Sequence, residues 1–283
     1  MSTAVKNQVR VCLLSVKYNI MREMVNPVTF VTNILFMMLN NATILVQWFI
    51  LFRLRGEIGG YTMKDVMLLW GLTASSFGLS KVLFARAFSL PELIISGKLD
   101  SYLVQPKNVC LSMLTSATST ASIGDFLYGL VLMAFSGFSM GRLVLFLLFT
   151  VTGAVIFVAF TLLLGSLSFW FVRAEMAGGQ IVSGMISFMT YPDGIFQGVS
   201  RYLLYFLIPV GMAVWKPVHI MTAFSGNADN GMSVGAAGQS LQSGLAALLT
   251  VAGYAIALMS IAVFIFYRGL RRYSSSSLME ARM

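Results

Sequence analysis

The residues able to do chemistry are few, and they are not arranged for catalysis. His219 is the single histidine, Cys12 and Cys110 are the only cysteines, and the carboxylates are scattered. A single histidine and scattered carboxylates argue against a membrane hydrolase. The two cysteines cannot form a metal cluster, and both fall near the expected cytoplasmic face, where a disulfide does not persist. Gly97-Lys98 is followed by Leu99, and Glu92 stands where a phosphate-cradling loop needs its first glycine, so the chain cannot hold ATP in that way. What remains is polar groups within apolar runs. Asn33, Asn40 and Gln47 recur at heptad spacing along one helical face. An amide facing lipid is costly, so this stripe either forms a hydrogen-bonded seam between helices or lines a substrate pathway. Asp125 is the most expensive interior residue. The hydroxyls of Ser122 and Thr118 could solvate it, and Arg142 is a candidate partner. Ser183 and Ser187 share a ridge with Gly179 at four-residue spacing.

One charged insert stands apart, from Phe84 to Lys107. It carries Arg86, Glu92, Lys98, Asp100 and Lys107 and cannot sit in hydrocarbon. Pro91 suits the first turn of a short helix and Gly97 its end. Leu93, Ile94, Ile95, Leu99, Tyr102 and Leu103 give it an apolar side, which we expect to dock on a soluble partner.

The elements that position these residues follow from composition. Of 283 residues, 58% are hydrophobic and 10% charged, and the mean hydropathy is +0.83. A soluble domain carries about 25% charged residues. The apolar runs are continuous rather than alternating, which predicts an all-α polytopic membrane protein. The net charge of +9 reflects cytoplasmic loops rather than nucleic-acid binding. About twenty-five mostly polar residues precede the first long apolar run, which argues against a signal peptide.

Residues 1–25 read as an amphipathic interfacial helix, with Val5, Val9, Cys12, Leu13, Val16 and Ile20 on one side and Lys6, Arg10, Lys17 and Arg22 on the other. Six transmembrane helices are expected, over 27–52, 66–83, 109–138, 143–171, from about 177 to the Tyr191-Pro192-Asp193-Gly194 break, and 245–267. Gly71, Ala74, Ser75 and Gly78 would let the second span approach a neighbour closely. Residues 203–215, broken by Pro209, are too short for a standard span and read as re-entrant. A polar loop over 225–243 follows, making 191–243 an outer re-entrant segment and loop. Lys and Arg concentrate on one side (Lys81, Arg86, Lys98, Lys107, Arg173, Arg268, Arg271, Arg272, Arg282 and the N-terminal helix) against Arg53, Arg55, Lys64, Arg142, Arg201 and Lys216 on the other. This places both termini in the cytoplasm, in a plasma (inner) membrane.

The order of these parts resembles the permease subunit of ABC type-2 (ABC-2 family) exporters. Gly97-Lys-Leu-Asp100-Ser-Tyr-Leu103-Val-Gln-Pro106 is similar to the family's Gly-x-Leu-Asp-x-x-Leu-x-x-Pro. Tyr191-Pro192, then Arg201 to Pro209, then Pro217 resembles its Tyr-Pro, Ile-Pro and Pro run; His219 departs from it, where a small apolar residue is expected. The resemblance implies a single ABC type-2 transmembrane domain over 1–283, with 84–108 as a cytoplasmic coupling loop whose short helix acts as a lever. It implies no enzyme activity and no cofactor in this chain. ATP and Mg would be bound by a separate pair of ATPase subunits. A second permease chain, in a homodimer or heterodimer, completes the expected assembly in the lipid bilayer. Pro91, Glu92, Gly97, Lys98, Asp100, Leu103 and Pro106 would couple to the ATPase, and Asn33, Asn40, Gln47, Asp125, Ser183 and Ser187 would line the pathway or dimer seam. The alternative reading is a stand-alone secondary transporter or channel, in which Asp125 would be indispensable; no inverted repeat of interrupted helices supports it.

Overall fold

The computed structural model describes residues 3–171, 174–229 and 234–273, and the regular elements among them are all helical. Arg173 and Arg282 lie outside the described residues. The chain opens with α1 (Thr3–Glu23) and α2 (Pro27–Leu54). Asn26 caps α2 by accepting the Thr29 N–H, and Pro27 occupies its first turn. Next comes α3 (Met63–Phe84), started by Asp65, which accepts from the Thr62 N–H and hydroxyl. A 3₁₀ turn (Ala85–Ser89) leads to the short α4 (Leu90–Ile95), α5 (Asp100–Leu103) and α6 (Val109–Leu114). Then follow α7 (Ser122–Phe135), α8 (Met140–Ser166), α9 (Ala174–Met189), α10 (Val199–Phe206), α11 (Lys216–Asp229) and α12 (Val234–Leu270).

The bundle is centred on α3 and α8. One face of α3 packs on α7 and the other on α8; α2 lies beyond α7 and α12 behind α8. The layering sets exposure: the apolar window of α3 is 67% buried and that of α8 56%, against 11% for α2 and 17% for α12. The expected small-residue contact forms between α3 and α7. A Cβ on Gly78 would stand 2.7 Å from both the Phe126 nitrogen and the Ser122 carbonyl oxygen. Gly129 of α7 meets Gly71 and Ser75 as tightly, and Gly124 turns the other side of α7 onto the α2 backbone. Close backbone approach of this kind supplies dispersion contacts where lipid offers no hydrophobic drive.

Several expectations are corrected. The third span is not continuous over 109–138. The hydroxyls of Thr115 and Ser116 bond back to the Leu111 and Met113 carbonyls, and Ser119 donates its N–H to Lys81 of α3. Ser and Thr offer the backbone such alternatives to a helix ladder, so α6 stops and α7 begins afresh with 14 residues. The polar 225–243 segment is not a loop throughout, because α11 reaches Asp229 and α12 begins at Val234. Four helical stretches are long and apolar enough to cross a membrane: Pro27–Leu54, Met63–Ile95, Met140–Phe169 and Gly244–Leu270. Val199–Phe206 and Gly211–Ala223, bent by 73° about the Pro209 break, make a fifth if taken as one span. Six full crossings are therefore not all of spanning length. α7 and α9, with 14 and 16 residues, are shorter than the about 20 residues a crossing needs.

α1 touches the bundle through the row Gln8, Ser15 and Asn19, while Lys6, Arg10, Lys17 and Arg22 stay exposed. Gln8 donates to Ser112 Oγ, and Ser15 and Asn19 donate to the Thr115 carbonyl. Val9 and Leu13 remain exposed.

Candidate functional site

The charged insert is built as a two-sided piece. α4 starts with Pro91 in its first turn, and Gly97, at φ +69°, reverses the chain just after its end. Leu90, Leu93, Ile94 and Leu99 are buried, packed with Cys110 and Met113, with Val158 and Leu162 of α8, and with Ala262 and Phe266 of α12. The apolar side thus docks on the chain's own bundle and not on a soluble partner, which corrects the expectation. The physical reason is that the foot of the α8–α12 pair offers apolar surface to a helix too short to bury its own. Ile95 and Tyr102 are half-buried and Leu103 is exposed. Tyr102 and Arg86 both donate to Ser116 Oγ, which ties the insert to the break before α7.

Its other side is open. Glu92, Lys98, Gln105, Pro106 and Lys107 are exposed, and Pro91 is half-buried. Asp100 is half-buried beside Tyr273, just past α12; burial and the Asp100 carboxylate push the Tyr273 hydroxyl above its ordinary pKa.

Within the spans, Asn33, Asn40 and Gln47 all lie on the exposed face of α2. They make no seam inside this chain. The adjacent Asn41, which sequence reasoning passed over, is the buried amide: its Nδ2 donates to Asp125 Oδ1 at 2.6 Å. Trp70 Nε1 and the Tyr128 hydroxyl both donate to the Asn41 carbonyl. Asp125 Oδ2 and the Thr118 hydroxyl have no hydrogen-bond partner among the described residues. Arg142 is not the partner of Asp125, because its guanidinium donates to the Ser136 and Gly137 carbonyls. It is spent on satisfying the turn between α7 and α8. Ser183 and Ser187 are exposed on α9, where Ser187 donates to the Ser183 carbonyl.

The end of the bundle opposite the insert holds a polar knot not foreseen from the sequence. Asp193, in the turn between α9 and α10, is 2% exposed. Its Oδ1 accepts from the Tyr61 hydroxyl at 2.9 Å and lies 3.1 Å from His219 Nε2, while Oδ2 pairs with Arg201 at 2.6 Å. Burial alone would raise the Asp193 carboxyl, but the hydrogen bonds from His219 and Tyr61 and the charges of His219 and Arg201 outweigh it, carrying the pKa down to about 2. Burial, followed by the Asp193 charge, pushes Tyr61 up. The knot joins the α2–α3 loop, the α9–α10 turn, α10 and α11. Gly194 lies flat on Gly59, with no room for a side chain between them. The one available signal was the pairing of a lone histidine with an aspartate in a Pro-Asp-Gly turn.

A family model described as ABC-2 family transporter protein matches residues 38–277. No curated protein and no solved structure matches the chain. The matched region spans the bundle from α2 through α12. It makes the chain a multi-pass membrane component of an ABC transporter, which is not itself the catalytic part.

Proposed function

We propose that this chain, which belongs to the ABC-2 transporter family, is a permease that moves its substrate from the cytoplasm or inner leaflet outward, driven by a separate ATPase. One observation carries the reading: the insert between α3 and α6 is anchored by its apolar side and exposed at Glu92, Lys98 and Lys107 on the other. A push on Glu92 or Lys98 is transmitted through Leu93, Ile94 and Leu99 to α8 and α12. The insert is therefore a handle fixed to the elements that must move, and nucleotide-dependent contact with it biases the bundle between two states. ATP and Mg belong to the partner, since this chain offers no phosphate loop. A second permease chain covers the α2 and α9 faces that carry Asn33, Asn40, Gln47, Ser183 and Ser187. Both termini lie in the cytoplasm of a plasma (inner) membrane.

The test is co-purification and stimulated ATP hydrolysis with the cognate ATPase. Glu92→Lys and Lys98→Glu are expected to lower both at least about tenfold, the equivalent of roughly 1.4 kcal/mol, without altering yield or monodispersity. Unchanged coupling in both variants, or transport that follows an ion gradient with no nucleotide, would return the chain to the secondary-transporter reading.

A further inference from the structure

A cavity of ≈ 400 Å³ opens between the end of α3, the 3₁₀ turn, α4, α8 and α9, beside the insert. Its volume falls within the range of about 300–1,000 Å³ usual for ligand pockets. Lys81 lines it, and is only half-buried. The ammonium lies 4.8 Å from the Phe77 ring centre and 5.4 Å from that of Phe88. Among the described residues it makes no ion pair and donates no hydrogen bond to any side chain or carbonyl. Asp125 acts on it only through space. Thr161, in the same wall, keeps a buried hydroxyl that has no hydrogen-bond partner among the described residues. The rest of the wall is mixed: Leu164 of α8 and Val182 and Ile186 of α9 give it an apolar side, and Ser89, Glu92 and Ser183 line the remainder.

An ammonium flanked by two aromatic faces, with no carboxylate in ion-pair contact among the described residues, retains unspent electrostatic capacity. Cation–π contact offsets part of its desolvation, and an anion supplies the rest through a charge-assisted hydrogen bond. A bare inorganic ion would leave the apolar wall unused, and a neutral lipid would leave the ammonium unpaired.

We propose that this cavity binds an amphipathic anion. Lys81 takes its carboxylate or phosphate group, Phe77 and Phe88 flank that group, and the α8–α9 wall takes the hydrocarbon. Glu92 stands on the exposed rim, where water and salt screen its repulsion. The site sits next to the coupling handle, so an occupant is placed where motion of the insert is felt. Its existence does not depend on the transport reading, because binding is measured on the permease alone, without ATPase.

The experiment is equilibrium binding of radiolabelled oleate to the purified full chain in neutral detergent. Saturable binding is expected, displaced by phosphatidic acid but not by monoolein or inorganic phosphate. Displacement by phosphatidic acid identifies the lipid-headgroup form of the anion as an occupant, and displacement by inorganic phosphate would show that a free anion suffices and overturn the amphiphile. Lys81→Met is expected to weaken oleate binding at least about tenfold, and Lys81→Arg to retain it. Gly179→Phe provides an independent block: nothing lies within 4 Å of a Cβ at Gly179, so the ring fills the cavity without disturbing the backbone, and binding is expected to be lost. Displacement by monoolein as effective as that by phosphatidic acid, or undiminished binding by either monodisperse Lys81→Met or Gly179→Phe protein, would overturn the site.

Discussion

At the residue scale, two buried carboxylates show how differently an acid can be accommodated. Asp125 shares α7 with apolar neighbours and has one amide partner, Asn41. Replacing Asn41 by Leu removes that donor while leaving the acid in place. Stranding a buried polar group costs about 1–3 kcal/mol, so the variant should unfold at a clearly lower temperature in detergent, read by intrinsic fluorescence. The double variant with Asp125→Leu should recover much of the loss, because neither polar group is then left unmatched. Asp193 is the opposite case, with both oxygens satisfied by Tyr61, His219 and Arg201. Its pKa falls from 3.8 to about 2 on folding. A depressed carboxylate stabilises the fold above its unfolded pKa and ceases to do so as pH drops through the folded value. The contribution, about 2 kcal/mol from the size of the shift, is therefore present at neutral pH and lost between roughly pH 4 and pH 2. Thermal unfolding followed across that window should fall more steeply for the native chain than for Asp193→Asn.

At the scale of elements, α3 and α7 meet in a close backbone joint. A Cβ on Gly78 would lie 2.9 Å or less from three atoms of α7, two of them backbone. Backbone cannot yield as a flexible side chain does, so Gly78→Val should force the helices apart, at a cost of about 3 kcal/mol or more. Loss of monodisperse protein on gel filtration would show this, whereas Gly179→Val on α9, where a Cβ meets nothing, should be tolerated. The insert obeys a different division. Its apolar residues hold it to the bundle, and Glu92, Lys98 and Lys107 stay exposed. Truncating Leu93 should thus cost stability, while reversing Glu92 should cost only coupling.

At the scale of the whole molecule, one side of the bundle is left unfinished. α2 buries only 11% of its apolar window, yet its outward face carries three amides that lipid would not accommodate cheaply. The proposed second permease chain would resolve that mismatch in a way lipid cannot. With Cys12 and Cys110 replaced by Ser, a cysteine at Asn40 should crosslink two copies in membranes when oxidant is added, read on a non-reducing gel. A cysteine at Phe264 of α12, also exposed, should not. Absence of any Asn40 crosslink would argue for a heterologous partner or for a different seam. The polar knot around Asp193 and the charged insert lie at opposite ends of α3, which at 22 residues is about 33 Å long. The insert and the knot are thus separated by about the thickness of a bilayer core.

The amino-acid sequence alone determined that the chain is helical and membrane-embedded, where its four long apolar stretches lie, and that Phe84–Lys107 forms a charged insert whose short helix ends just before Gly97. Each of these follows from local chemistry: hydropathy over a helix length, a proline in a first turn, a glycine at positive φ. The tertiary structure decided which neighbour each side chain meets. It placed Asn41 rather than Asn40 on Asp125, turned Arg142 to its own turn carbonyls, and laid Leu93, Ile94 and Leu99 on α8 and α12. It also brought Asp193 to His219 across 26 residues of chain. Helical periodicity assigns a residue to a face, but which faces meet is settled only by how small residues let particular helices close on one another.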